Sequence, residues 1–480
     1  LKSIFPESHR IPPIWWLSAL FLSLLLALSW PFESLRWALA ALGAGGFLLL
    51  ALSSPRLCAS ALALFVFTGI LTAVEVGFSF KAPQLFSLLA ILGLGLRFVL
   101  GWRPTQRYPW FWLLPFGLIL LSWLPSLGKA DSAQLALNQD MTSIRLVFNY
   151  LLLVLTGLTL FGAASNLQEL KRLHVLLVLS CLLTLAVGWL QQIGFYTGSY
   201  NPLDYLGKHS ALVDFYGPFL RISPGTFANE YGEILQTVGI LLIGWLYLFP
   251  ERNQKWRFGL YLALAWVVAS LVINFTRASW LVFVTGTFFL LALARPPLHR
   301  LLLLGSLLYG VFGGLFKLSQ IISEAGLLVT VGQRFGELSD VTVESAGQRL
   351  DTWGLAWKAF WESPWIGHGL GRFVDTHNVP LQLLAETGIL GCLVFYAAMG
   401  WVAWIMFKAW KQAENPELRE IQIVWLVAFS GCLAFDLTNH GIFHFVLWVC
   451  IALGLATAHL NLHPAAAESI ADPFPEGSGP

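Results

Sequence analysis

The sequence predicts an all-α, polytopic membrane protein with about 12–14 transmembrane helices and a large helical loop outside the membrane. Three observations predict this. Of the 480 residues 57% are hydrophobic and 11% charged, with a mean hydropathy of +0.71, which is more apolar surface than a soluble core can bury. Apolar runs of roughly 17–25 residues, the length that crosses a bilayer, recur along the whole chain. Lys and Arg collect in alternate connections, as expected when cationic loops stay on the cytoplasmic side.

The runs fall at 14–31, 35–52, 57–75, 84–100, 109–125, 144–163 and 173–195, then at 230–249, 258–275, 279–294 and 301–318, and finally at 389–407, 421–437 and 442–460. With the N-terminus inside, the inner segments hold Lys2, Arg10, Arg56, Arg103, Arg107, Lys171, Arg172, Arg252, Lys255, Arg257, Arg295, Arg300, Lys408, Lys411 and Arg419. Both ends are then expected in the cytoplasm, and the two longest loops outside. The organisation read from this is an N-terminal transmembrane bundle at 1–195, a central transmembrane region with an outer loop at 196–318, a large periplasmic loop at 319–378, C-terminal transmembrane helices at 379–460 and a disordered cytoplasmic tail at 461–480.

The first six runs are chemically bland, with Trp15, Trp16, Trp30, Trp102, Trp110 and Trp112 near their ends as interfacial belts. The five cysteines all sit inside apolar runs, so no disulfide framework or Cys-based metal site is implied. The net charge of +2 says little, because a membrane protein's charges are sorted by side and cancel in the sum; no nucleic-acid partner is expected.

Polar residues gather at the outer ends of the later spans. One segment, RISPGTFANEYGE at 221–233, contains Arg221, Asn229, Glu230 and Glu233, and the next outer turn reads NFTRASW at 274–280, with Arg277. In the large loop a helix is predicted over 346–362, because Leu350, Trp353, Trp357, Phe360 and Trp361 repeat at helical spacing. Such a helix should lie on the membrane surface with Arg349, Asp351, Lys358 and Glu362 turned to water or headgroups. A Gly-rich turn, GHGLG at 367–371, lacks the spacing and the preceding strand of a phosphate-binding loop, and is expected to act as a hinge that places His377.

Beyond that turn the segment THNVPLQLLAETGILG at 376–391 sets a His-Asn pair directly before an apolar run. His377 is a titratable group at a membrane surface, suited to proton transfer. Arg221, Arg277 and Arg349 come from separate outer segments, and converging guanidinium groups suit a diphosphate, which they bind in bidentate fashion at any pH without a metal. The plainer readings are snorkelling or pairing with acids such as Glu233, Asp351 or Glu386. His440 and His444 lie four apart, but with no third ligand apparent they read as interfacial histidines rather than a zinc site.

The His-Asn pair followed by Gly388 and Gly391, the upstream QRLDTWGLAWKAFWESPWIGHGLGRF, and the RISPGTFANEYGE and TRASW segments together resemble the signature of the bacterial O-antigen ligase and O-antigen polymerase superfamily. The resemblance runs in order over about residues 221–437, with Cys392 standing where ligases often have Thr. It implies a multi-helical GT-C-like fold in the bacterial cytoplasmic (inner) membrane, with the active site facing the periplasm. It also implies metal-independent inverting glycosyl transfer, without a cofactor, from a polyprenyl-diphosphate-linked glycan donor to a glycan, lipid A core or protein acceptor. On this reading His377 is the base, Asn378 or Glu386 orients it, and Arg221, Arg277 and Arg349 clamp the diphosphate. The alternative is a transporter of a small solute or lipid-linked sugar; it is disfavoured because the ionisable residues cluster at the outer edge and no repeat is visible.

Overall fold

The computed structural model describes residues 55–67, 87–93, 133–197, 219–222, 228–248, 254–294, 344–373, 376–439 and 444–463, with short pieces at 48, 74–75, 79–80, 96, 117, 215–216 and within 301–317. The expected spans at 14–31, 35–52 and 109–125 fall outside these residues apart from Leu48 and Gly117. So do parts of those at 57–75, 84–100 and 301–318, the loop residues 319–343, His440 and the tail from 464.

Besides shorter helical stretches such as 87–93, ten helices follow in order among the described residues. They are α1 (Pro55–Phe65), α2 (Ala133–Ala163), α3 (Leu167–Thr197), α4 (Ala228–Leu248), α5 (Gln254–Asn274), α6 (Arg277–Ala294), α7 (Glu344–Glu362), α8 (Val379–Gln412), α9 (Pro416–Phe435) and α10 (Phe445–Leu462). Two small antiparallel hairpins, β1 (Val74–Glu75) with β2 (Ser79–Phe80) and β3 (Phe215–Tyr216) with β4 (Phe219–Leu220), lie in the connections. Six of the helices, α3, α5, α6, α8, α9 and α10, are long and apolar enough to cross a membrane. The chain is therefore an all-α, polytopic membrane protein. Helices suit that setting because each satisfies its own backbone donors and acceptors where water is absent.

One continuous apolar core joins α2, α3, α4, α5, α8, α9 and α10. At its centre Trp425 of α9 and Trp448 of α10 are fully buried, and the ring of Tyr150 meets Trp448 edge-on at 5.0 Å. α6 and α8 also turn a face outward, where Leu281, Val284, Phe288 and Phe289 of α6 and Leu390, Leu393 and Trp404 of α8 are exposed. In a bilayer these are lipid-facing positions.

The bundle has two chemically different ends. At one, Lys171 at the start of α3 lies 2.5 Å from Glu417 at the start of α9. The cations Lys411 and Arg419 stack over Trp410 there, at 4.4 and 5.9 Å from its ring centre. These are cations expected inside, and the fold gathers them on one side. At the other end lie the start of α4, the turn between α5 and α6, the start of α8, the end of α9 and the start of α10, the regions expected outside.

Several helices extend beyond the apolar runs. The run at 389–407 becomes α8 from Val379, because Asn378 caps it and Pro380 suits its first turn. The polar residues between the cap and the run are hidden from a hydropathy reading. Similarly α2 begins at Ala133 rather than near 144, and α10 runs to Leu462, two residues into the expected tail.

Candidate functional site

The first polar group is built around the turn between α5 and α6. Arg221 follows directly on β4, which is held against the end of α3: Gln192 Nε2 donates to Leu220 O at 2.7 Å, and Leu220 N donates to the Tyr196 hydroxyl at 3.1 Å. From there the Arg221 guanidinium donates from Nε to Asn274 O at 2.8 Å and from Nη2 to Thr276 Oγ1 at 2.9 Å and Asn229 Oδ1 at 3.4 Å. Asn274, fully buried, donates from Nδ2 to Ile222 O at 2.7 Å and Ala228 O at 2.9 Å, tying the same segments together in return. The turn forces Phe275 into the left-handed region (φ 57), and Arg277, half-buried, opens α6 immediately after Thr276. Arg221 is thus bonded to the turn from which Arg277 opens α6.

The second group is built around His377. Its segment is pinned on two sides. From α7, Trp353 Nε1 donates to Thr376 O at 2.7 Å. From the turn after α9, Asp436 O accepts Val379 N at 2.9 Å and Leu437 O accepts Asn378 Nδ2 at 2.9 Å. The Oδ1 of Asn378 caps α8 by accepting Leu381 N at 2.9 Å. His377 is held at φ 50. Among the described residues it and Phe275, two residues before Arg277, are the two non-glycine residues with positive φ; strain of this kind costs about 1–3 kcal/mol and gathers at functional sites. Arg349 of α7 donates to Thr438 O at 3.4 Å, so it reaches the same turn that holds Asn378.

The Gly-rich loop is not the free hinge expected. Helix α8 breaks at Gly388 (φ 68, ψ −172), and the loop is sewn into the break. Ala385 O and Glu386 O, which would bond within an unbroken helix, instead accept His368 N and Gly369 N, both at 2.9 Å, while Ile389 N donates to Pro364 O at 2.8 Å. Glycine is required on both sides of this crossing. A Cβ at Gly367 would strike the backbone of Glu386 and Thr387, and one at Gly388 the backbone of Trp365 and Ile366.

Glu386, fully buried, faces the loop: its carboxylate accepts Phe373 N at 2.9 Å and Gln382 Nε2 at 3.3 Å. These bonds fasten the loop that leads into His377. Helix α7 packs on α8 through Ala356, Ala359 and Ala385, with Phe373 and Leu381 beside them, and His368 Nε2 lies 2.7 Å from Ala359 O. Its predicted apolar stripe divides in two. Phe360 is buried, whereas Leu350, Trp357 and Trp361 remain exposed, as does Trp365 beyond the helix. That second set is the surface a membrane interface would cover.

The three arginines therefore fall in two groups, Arg221 with the Arg277 turn, and Arg349 with His377 and Asn378. Sequence reasoning missed the turn at 436–439, because DLTN at the end of an apolar run looks like an ordinary polar loop. It also took Trp353 only as part of an apolar face, since its indole N–H has no sequence signature. Gln382 gave no signal at all.

A family model described as O-antigen ligase matches residues 262–396. No curated protein matches the chain. The matched segment contains Arg277, Arg349, His377, Asn378, Glu386 and Gly388, and Arg221 is bonded into it at Asn274 and Thr276. Over this segment the chain is similar to the O-antigen ligase family, in a protein with six helices, among its described residues, long and apolar enough to cross a membrane.

Proposed function

We propose that the chain transfers a glycan from a polyprenyl-diphosphate lipid to an acceptor hydroxyl at the outer face of the bacterial cytoplasmic membrane. The observation that carries this reading is the shared anchoring of the His377–Asn378 segment and Arg349, all three inside the segment 262–396 that the O-antigen ligase model matches, on the turn at 436–439 beyond it. That anchoring sets a titratable imidazole and a permanent cation on one support.

In the reaction His377 takes the proton of the acceptor hydroxyl as its oxygen attacks the anomeric carbon. The new glycosidic bond forms on the face opposite the departing oxygen, the bond from that carbon to the diphosphate breaks, and the configuration inverts. General-base catalysis of this kind contributes about 100- to 10,000-fold. Negative charge grows on the departing lipid diphosphate, where Arg221, Arg277 and Arg349 stabilise it as a preorganised cationic clamp. Asn378 and Glu386 act as positioning residues, the first by fixing the start of α8 and the second by fixing the loop that enters His377. The acceptor is a hydroxyl of a glycan, of lipid A core or of a protein.

The test is reconstitution of the full chain in liposomes with a polyprenyl-diphosphate glycan and a hydroxyl acceptor, following release of polyprenyl diphosphate. Wild type should release it only with acceptor present. His377→Ala should bind donor but release on the order of 100-fold less or lower still. Equal release by the variant removes His377 from the chemistry, and no release by wild type with any of the three acceptor classes overturns the reading.

A further inference from the structure

Glu233 lies on α4 with no exposed surface, and its Oε2 stands 2.5 Å from Nδ1 of His444, the residue that precedes α10. A carboxylate in a water-excluded bundle is costly unless paired, and removing one partner of a buried pair leaves the other uncompensated. The contact is also well placed in the chain. One turn before Glu233, Asn229 of the same helix accepts from Arg221. His444 closes the connection between α9 and α10, whose first residues, Asp436, Leu437 and Thr438, accept from Val379 N, Asn378 Nδ2 and Arg349. One turn beyond Glu233, Thr237 Oγ1 meets Cys432 Sγ of α9 at 3.8 Å, so the same face of α4 continues against α9.

We infer that Glu233 and His444 form a buried bolt that sets the Arg221–Arg277 group in register with the His377–Asn378–Arg349 group. They are positioning residues: neither belongs to the groups named above as base or clamp, and they act by fixing the distance between them. The inference rests on the proposed glycan transfer for its kinetic consequence, but the geometry it concerns is independent of the substrate. Loss of the bolt leaves each group intact and changes their spacing, so donor binding persists while the productive arrangement of base, acceptor and leaving group is lost. A displacement of about 1 Å at reacting groups costs on the order of 100-fold in rate.

The experiment uses the full chain in liposomes with three variants, Glu233→Gln, His444→Ala and His444→Gln, each checked for yield and monodispersity. Expected for Glu233→Gln and His444→Ala is a fall in kcat on the order of 100-fold with donor KM within roughly threefold of wild type, the split for a lost transition-state arrangement. His444→Gln, whose amide still donates to Glu233, should recover part of kcat. Amide exchange supplies a second readout that needs no turnover: Val379 and Leu381, protected through Asp436 O and Asn378 Oδ1, should exchange faster in His444→Ala. If wild type releases no lipid diphosphate, the glycan-transfer reading fails, and the faster exchange alone still supports the bolt. Unchanged exchange overturns the bolt, and so does unchanged kcat in a turning-over protein. A parallel fall in kcat, donor affinity and folded yield also overturns it in favour of a merely structural pair.

Discussion

Asn378 and Leu437 join the start of one membrane helix to the end of another: Nδ2 of Asn378 donates to Leu437 O at 2.9 Å while its Oδ1 caps α8 at Leu381 N. The two bonds use opposite ends of one amide, so substitutions separate them. Asn378→Asp keeps the cap acceptor and loses the donor to Leu437. Asn378→Ala loses both, and the cap alone is worth about 1 kcal/mol. Glycan-transfer rates should fall in the order wild type, Asp, Ala, with the thermal midpoint in detergent lowered most in the Ala variant. Equal rates for Asp and wild type would show that the tie to Leu437 does not hold the site.

Gly388→Ala should be severely destabilising. The residue sits at φ 68 with ψ −172, a region open in practice to glycine, and a Cβ there meets the backbone of Trp365 and Ile366, which cannot swing aside as a side chain would. The backbone conformation alone costs about 1–3 kcal/mol, and the crossing of loop and helix must also spread. The thermal midpoint and membrane yield should both drop. An unchanged midpoint would show that the loop can leave the break in α8 at little cost.

Much of this fold was legible in the chain, and the reason is physical: long apolar runs report burial in lipid directly, so α3, α5, α6, α9 and α10 appear close to where hydropathy places them. The helix over 344–362 was legible too, from aromatic spacing. Contacts between distant segments set the parts that stayed hidden. The start of α8 ten residues before its apolar run depends on the Asn378 cap. The division of α7 into a packed and an exposed face depends on where Ala356 and Ala359 meet Ala385. Arg221 and the TRASW turn were each visible as polar punctuation, but their mutual bonds arise from β4 being held by Gln192 and Tyr196, which no local pattern encodes.

Arg221→Lys should weaken donor binding although charge is retained. The guanidinium serves Asn274 O, Thr276 Oγ1 and Asn229 Oδ1 with a planar fork, whereas a lysine ammonium is a point charge on a flexible stem. Arg277→Ala removes the neighbouring charge itself. Charge-assisted hydrogen bonds of this type are worth about 1.5–3 kcal/mol, so donor-lipid affinity should fall roughly 10- to 150-fold in each. Binding of a polyprenyl-diphosphate glycan to protein in nanodiscs measures this directly. Affinity unchanged in Arg277→Ala would assign that residue to snorkelling at the interface.

Glu386 separates loop positioning from base chemistry. Its carboxylate accepts Phe373 N and Gln382 Nε2 in a fully buried setting, so Glu386→Ala leaves those donors without their acceptor at a cost of about 1–3 kcal/mol. Glu386→Gln retains one carbonyl oxygen for Phe373 N but sets its own amide against that of Gln382. If Glu386 acts on His377 by holding the loop at 367–373, Gln should keep most of the transfer rate and Ala should lose it, with amide exchange at Phe373 rising in step with the loss. If Glu386 instead acts through its charge, Gln and Ala should be equally inactive while Phe373 remains protected in Gln. Transfer rates and exchange measured on the same two variants distinguish these outcomes, because the bond to Phe373 N needs an oxygen acceptor but no charge.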